Sequence, residues 1–176
     1  MSLTERPKAT TMRGNPLTLL GPERKAGDAL HDFTVVDNGL KPVTAADTAG
    51  HVRIFSVVPS LDTPVCDLQT RRFNEEAGKL GDKVKVLTVS MDLPFAQKRW
   101  CGAAGATHVQ TLSDYQSGSF GQAMGTLIKE LRLESRAIFV VDAQGVIRYV
   151  QYVPEIADAP DYEAALAAAR GLLQQH

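Results

Sequence analysis

Two cysteines are the residues of this chain whose type and position suggest covalent chemistry. Cys66 closes the stretch PSLDTPVC, and Cys101 lies near the end of the next predicted helix. A cysteine can act as a nucleophile, bind a metal or fill a small space in a core. For a lone cysteine the buried structural role is the most common one. The choice therefore depends on the residues that surround Cys66.

The residues before Cys66 predict the start of a helix. Residues 52–58 form a nearly continuous apolar run, typical of a strand buried on both faces. Thr63 is a suitable N-cap, and Pro64 is favoured at the first helical position. Cys66 then takes the third helical position, near free backbone N–H groups and the positive end of the helix dipole. This position favours a thiolate.

The charged residues near Cys66 do not all support a thiolate. Asp62 and Asp67 oppose it, since carboxylates disfavour a nearby negative charge. A nucleophilic Cys66 therefore requires a cation. Arg71 and Arg72 lie further along the helix and are typical of a solvated face. Arg136 stands just before the predicted strand 137–141, and we hypothesise that the fold brings it beside Cys66.

Other cysteine chemistries have little support in the sequence. Cys66 is followed by Asp67-Leu68-Gln69, so a CxxC redox pair is absent. The four histidines, at positions 31, 51, 108 and 176, show no ligand spacing with either cysteine. We therefore predict neither a metal site nor another cofactor.

The composition is that of a soluble globular protein. The chain has 176 residues with 44% hydrophobic residues and a net charge of −1, which predicts one domain over residues 1–176. The small net charge argues against binding to nucleic acid or to an anionic membrane. No apolar run approaches the roughly 18 residues needed to span a bilayer. No secretory signal is apparent, and two cysteines are too few for a disulfide scaffold, so we expect a cytoplasmic protein.

Hydrophobic periodicity predicts an α/β fold. We expect a flexible N-terminus over about 1–15, a small hairpin around Gly14-Asn15-Pro16, and then alternating strands and helices. This order is typical of a thioredoxin-like three-layer fold, with a central mixed β-sheet flanked by helices and an N-terminal β-hairpin. In the helix 64–80, the apolar positions that predict its buried face are Val65, Leu68, Phe73, Ala77 and Leu80.

Pro59, Thr63 and Cys66 match the P-x-x-x-T/S-x-x-C motif of peroxiredoxins. PSLDTPVC together with SMDLPFAQKRWC at 90–101 resembles the thiol peroxidase subfamily, whose members are atypical two-cysteine peroxiredoxins. GNPLTLLG in the N-terminal hairpin and DYEAAL in the last helix are also similar to that subfamily. The resemblance covers nearly the whole chain.

The resemblance implies a role for each matching residue. Cys66 corresponds to the peroxidatic cysteine and Cys101 to the resolving cysteine. Thr63 and Arg136 correspond to the residues that position and polarise the peroxide, and Pro59 to the proline that shields the site. The implied activity is reduction of hydrogen peroxide and alkyl hydroperoxides through a Cys66–Cys101 disulfide. The implied partners are thioredoxin as reductant and a second copy in a homodimer.

Three other functions stay open from the residues themselves. They are a one-cysteine peroxidase in which Cys101 is idle, a dithiol oxidoreductase, and an inactive interaction module. The substrate preference is open as well. Leu61, Phe95 and the segment 117–128 would either form an apolar pocket for alkyl hydroperoxides or serve only as core and interface packing. Because the cysteines lie on different helices, we expect the reduced protein to hold them apart, and disulfide formation to require local unfolding around residues 100–102.

Overall fold

A computed structural model describes residues 3–174 of the chain. The strands are β1 (Glu5–Met12), β2 (Asn15–Leu20), β3 (Thr34–Val36), β4 (Pro42–Thr44), β5 (Val52–Val57), β6 (Val84–Ser90), β7 (Val109–Ser113), β8 (Leu127–Ile128), β9 (Ala137–Val141) and β10 (Ile147–Tyr152). The α-helices are α1 (Pro64–Leu80), α2 (Pro94–Ala104), α3 (Ser119–Met124) and α4 (Tyr162–Leu173).

The central sheet has the strand order β10-β9-β5-β6-β7-β3-β4. β5, β6 and β7 are parallel to one another, and the other pairs are antiparallel. Parallel neighbours need crossover connections, which α1 and α2 supply. The predicted mixed sheet is confirmed. The turns that follow β5 and β6 consequently lie side by side at one edge of the sheet.

Both faces of this sheet are covered. On one face, Phe73 and Ala77 of α1 join Leu166 and Ala169 of α4 in a buried cluster. On the other face, the Phe120 ring of α3 packs among aromatic rings, with centroid distances of 5.0 to 6.5 Å. Its ring partners are Phe33, Phe55 and Phe139. Full burial of one such apolar side chain contributes roughly 1.5–3 kcal/mol, so these clusters fix both helix layers on the sheet.

The buried face of α1 differs from the predicted one. Leu68 is 63% exposed, whereas Gln69 and Thr70 are completely buried. The first turns of α1 lie over buried polar groups at the end of β5, so polar residues face inward there. The apolar contacts of the predicted face begin only at Phe73. The prediction for Leu68 was wrong because Leu68 and Phe73 are five residues apart, which places them about 140° apart around an α-helix, on nearly opposite sides.

The N-terminal hairpin forms a second sheet of order β1-β2-β8. Its turn lies at residues 13–14, and the predicted turn residues Asn15 and Pro16 already belong to β2, where Asn15 pairs with Met12. β1 begins at Glu5, so most of the segment that we expected to be flexible is a strand. Long-range contacts account for this difference, because Thr11 exchanges backbone hydrogen bonds with Pro154 (2.9 Å) and Ile156 (2.9 Å). Such contacts leave no local signature in the sequence.

The Glu155 carboxylate links this hairpin to the segment that follows β10 through hydrogen bonds. Backbone N–H groups of Ala157 and Gly14 donate to its carboxylate and lower the pKa of Glu155 from 4.5 to about 2. A lowered folded-state pKa stabilises the protein above pH 4.5, and this contribution disappears as the pH falls toward about 2. We expect the free energy of unfolding of Glu155→Gln to fall less than that of the parent across this pH range. Urea unfolding at several pH values measures this, and Glu75→Gln controls for removal of one exposed carboxylate.

Candidate active site

The turn that follows β5 is held by one carboxylate from the turn that follows β6. Asp92 accepts hydrogen bonds from Ser60 Oγ (2.7 Å), the Leu61 backbone N–H (2.8 Å) and Ser90 Oγ (2.8 Å). Pro59, just before this turn, is buried. The two adjacent turns are thereby joined, and the direction in which the chain enters α1 is fixed.

α1 begins as the sequence predicts. Thr63 is the N-cap residue with extended backbone angles (φ −108°, ψ 149°), and Pro64 opens the helix. Cys66 therefore lies in the first turn and is completely buried. Its apolar neighbours are Val58, Leu61 and the half-buried Trp100. The thiol is enclosed by apolar groups on one side and by the polar end of the helix on the other.

Arg136 is the cation beside Cys66. Its Nη2 donates to Cys66 Sγ at 3.2 Å. The sheet topology explains the proximity: β5 and β9 are antiparallel, and Val57 pairs with Ala137. The start of β9 thus meets the end of β5. Arg136 directly precedes β9. The strand pairing therefore explains why the fold brings Arg136 beside Cys66, as we hypothesised from the sequence.

The Arg136 side chain is held in one orientation by two further hydrogen bonds. Its Nη1 donates to Gln69 Oε1 (2.8 Å), and its Nε donates to the Ile156 carbonyl (2.8 Å). Gln69 Nε2 in turn donates to Ser56 Oγ (2.7 Å). Arg136 is only 2% exposed. Its guanidinium is thus directed at the sulfur by neighbours that are themselves buried.

This arrangement has an electrostatic consequence. Among the described residues, no carboxylate forms an ion pair with Arg136. A buried cation without a counter-charge is strongly disfavoured. The Cys66 sulfur, at 3.2 Å from Nη2, is the group that faces this positive charge.

Gln69 is the site residue that our sequence reasoning missed. It follows Cys66 by one helical turn and shares its face of α1, so the spacing alone could have marked it as a neighbour of the sulfur. Its side chain is polar but completely buried. The contact with Arg136 identifies its part in the site.

Thr63 is placed at the mouth of the site. Its side chain makes no capping hydrogen bond to α1. Instead its hydroxyl donates to the Ser60 carbonyl at 2.9 Å. The hydroxyl proton is therefore engaged, and the oxygen lone pairs remain able to accept a hydrogen bond. Thr63 is exposed, so an incoming molecule can reach it.

Cys101 has different neighbours from Cys66. Both are free thiols. Cys101 is half-buried near the C-terminal end of α2, and its Sγ lies 3.6 Å from Thr111 Oγ1 on β7. Trp100, the preceding residue, packs against the Cys66 cluster and also against the apolar cluster that Cys101 contacts. The structure thus brings Arg136 to Cys66 but gives Cys101 contacts of its own.

Leu61, Phe95 and the segment 117–128 do not share one buried apolar cluster. Leu61 is buried beside Cys66, whereas Phe95 is 65% exposed. Phe120 and Met124, from the segment 117–128, pack on the opposite side with Phe33 in the sheet core. The apolar residues that we grouped from sequence have separate surroundings, which favours the packing interpretation.

Comparisons with known proteins show the family of this chain. The family model described as Redoxin matches residues 25–166. A thiol peroxidase of Halalkalibacterium halodurans is 58% identical over 93% of this chain and 98% of the relative. A thiol peroxidase of Bacillus subtilis is 55% identical over 93% of this chain and 98% of the relative. The chain belongs to the redoxin family, among its thiol peroxidases.

The redoxin match contains all five residues singled out from the sequence, and it begins after the N-terminal hairpin. Among solved structures, a peroxiredoxin-like protein from Aquifex aeolicus superimposes with a TM-score of 0.87 at 36% identity, covering 98% of this chain and 99% of that one. A thiol peroxidase from Chromobacterium violaceum shares the fold with a TM-score of 0.83 at 21% identity, covering 95% of this chain and 98% of that one. Within residues 3–174, no helix is long and apolar enough to cross a membrane.

Proposed function

We propose that this redoxin is a thiol-dependent peroxidase that reduces hydrogen peroxide and alkyl hydroperoxides to water or an alcohol. The observation that carries the proposal is the 3.2 Å hydrogen bond from Arg136 Nη2 to Cys66 Sγ in the first turn of α1. A buried thiolate with a fixed cation is a nucleophile prepared for attack. The thiol peroxidase relatives support the same activity.

In the first step, the Cys66 thiolate attacks the terminal oxygen of the hydroperoxide. An S–O bond forms, the O–O bond breaks, and the departing oxygen leaves as water or an alcohol once protonated. Cys66 becomes a sulfenic acid. Negative charge grows on the departing oxygen, and the Arg136 guanidinium stabilises charge of this kind.

Thiolate formation cannot supply most of the rate. A more acidic thiol has a larger thiolate fraction, but it is also a weaker nucleophile, with a Brønsted slope of about 0.4–0.5 in disulfide exchange. The two effects largely cancel. We therefore assign the main part of the acceleration to orientation and to charge stabilisation by Thr63, Arg136 and the free N–H groups of α1.

Thr63→Val should lower kcat/KM for hydrogen peroxide by roughly tenfold to a hundredfold, because the hydroxyl oxygen no longer accepts the hydrogen bond of the hydroperoxide proton. The alkylation rate of Cys66 by iodoacetamide at fixed pH reports the thiolate, and it should change far less. Thr63→Ser, which keeps the hydroxyl, serves as the matched control. Equal losses of peroxidase and alkylation rates would show that Thr63 acts only through the thiolate.

In the second step, the Cys101 thiol condenses with the Cys66 sulfenic acid, a disulfide forms and water leaves. A disulfide needs Cα atoms within about 7 Å, and Cys101 packs against Thr111 rather than Cys66. We propose that the end of α2 unfolds locally around Trp100, Cys101 and Gly102. Gly105 ends this helix in a left-handed conformation (φ 65°), so the helix can open from that end.

One equivalent of peroxide, followed by non-reducing mass spectrometry, tests the proposed function. The proposal predicts consumption of the peroxide and a mass loss of about 2 Da from the disulfide. A stable gain of about 16 Da would indicate a one-cysteine peroxidase. If the protein does not consume peroxide, it is not a peroxidase and has only a binding or scaffolding role.

The partners stay predictions from the family resemblance, and the location stays a prediction from the cysteine count and the lack of an apparent secretory signal. We propose thioredoxin as the reductant of the disulfide, and a homodimer in the cytoplasm. Turnover coupled to thioredoxin and thioredoxin reductase measures the first. Sedimentation velocity of the reduced and oxidised protein measures the second.

A further inference from the structure

A small cluster of side chains connects the two cysteines through their sequence neighbours. Asp67 follows Cys66 directly, and Trp100 directly precedes Cys101. Trp100 Nε1 donates to Asp67 Oδ1 at 2.8 Å. Arg71 Nε donates to Asp67 Oδ2 at 2.9 Å, and its guanidinium lies 5.6 Å from the centre of the Trp100 ring. One carboxylate thus ties α1 to the end of α2.

The contacts among Asp67, Arg71 and Trp100 hold α2 in the position in which the two cysteines are apart. The Trp100 ring packs against the cluster of Val58, Leu61 and Cys66. The ring therefore lies against the group of residues that Cys101 would have to approach. For Cys101 to reach Cys66, the ring must move and its hydrogen bond to Asp67 must break.

We propose that Asp67, Arg71 and Trp100 form a latch that sets how fast the end of α2 opens once Cys66 is oxidised. These are positioning residues, since they act through Cys101. The inference rests on the proposed function, because it concerns the step in which the sulfenic acid is resolved. The latch thereby decides which of two reactions consumes that sulfenic acid.

The two competing reactions start from the same sulfenic acid. In the first, the Cys101 thiol attacks the Cys66 sulfur, an S–S bond forms and water leaves. In the second, a further hydroperoxide transfers one oxygen to the Cys66 sulfur and leaves as water or an alcohol, and Cys66 becomes a sulfinic acid. The first requires an open latch, whereas the second proceeds with the latch closed. Slow opening therefore favours irreversible oxidation at high peroxide concentration.

The contacts that Asp67 makes with Arg71 and Trp100 are weak enough to break and form again. The Asp67–Arg71 pair is partly exposed, with side chains 32% and 50% exposed, and such pairs are weak. The hydrogen bond from half-buried Trp100 has a charged acceptor and is stronger than a neutral one. We therefore expect Trp100 to have a larger effect on opening than Arg71.

Trp100→Phe keeps the aromatic ring but removes the N–H donor. We expect it to form the Cys66–Cys101 disulfide roughly tenfold faster than the parent, as judged by acid quenching and mass spectrometry. The fraction of sulfinic acid at a given excess of peroxide should fall accordingly. The rate constant of the first oxidation, measured by peroxide consumption in a single turnover, should change far less than the rate of disulfide formation. A general loss of structure would lower both rates together.

Arg71→Gln provides a second variant that retains the indole. Trp100 is the only tryptophan of the chain, so its fluorescence reports movement of the latch directly. We expect the resolution phase to be about two- to threefold faster. Glu163→Gln is the matched control, since it removes a comparable exposed partner of α1, bonded to Arg72 at 2.7 Å, without touching α2.

The results distinguish the latch from the proposed function. If the parent forms the disulfide and both variants resolve at the parent rate or more slowly, the latch is wrong and the peroxidase cycle stands. If the parent forms no disulfide at all, the cycle itself fails and the latch fails with it. Faster resolution in both variants, with an unchanged first step, supports the latch.

Discussion

Cys66→Ser should lose peroxidase activity by about four orders of magnitude or more, since the nucleophile itself is removed. A serine hydroxyl is not ionised near neutral pH, and oxygen is a poor nucleophile toward peroxide oxygen. The structure favours a clean test, because Cys66 is fully buried and the substitution barely changes the side-chain volume. Initial rates of hydrogen peroxide consumption with a dithiol reductant measure the loss.

Cys101→Ser is the natural comparison for this variant. It should still consume about one equivalent of peroxide, because Cys66 and Arg136 are unchanged, and then stop or continue slowly with small-molecule thiols. Circular dichroism should show that both variants remain folded. Activity of Cys66→Ser above roughly one percent of the parent would exclude Cys66 as the attacking residue.

Arg136→Lys should lower kcat/KM by roughly a hundredfold to a thousandfold, comparable to the loss of one key donor to a developing oxyanion. Lysine keeps a positive charge, but it cannot reproduce the three directed hydrogen bonds to Ile156, Gln69 and the Cys66 sulfur. The measurement is the rate of single-turnover oxidation across a range of peroxide concentrations.

Gln69→Met tests the same interaction from the opposite side. It removes one support of the guanidinium but keeps Arg136, so we expect a smaller loss of about tenfold. Alkylation of Cys66 at fixed pH separates an effect on the thiolate from an effect on peroxide orientation. An Arg136→Lys enzyme within threefold of the parent would show that charge alone suffices and that the directed hydrogen bonds contribute little.

Much of the architecture was predictable because it is encoded locally. The apolar runs of β5 and β6 indicated a sheet covered on both faces, and the crossover helices between them imply parallel pairing. Thr63 and Pro64 marked the start of α1, as the structure confirms. The exposed side of α1 was predicted less well. Leu68 faces outward because it lies five residues from Phe73, about 140° around the helix from the buried face.

The sequence by itself determined the position of Cys66 in the first turn of a helix, and its spacing to Pro59 and Thr63, because helix starts and strand lengths are local properties. Only the tertiary structure decided which cation meets the sulfur. Arg136 lies far along the chain, and the antiparallel pairing of β5 with β9 places it there. The same holds for the burial of Gln69 and for the contact between Asp67 and Trp100. Each depends on how separate elements pack together, and no short stretch of sequence contains that information.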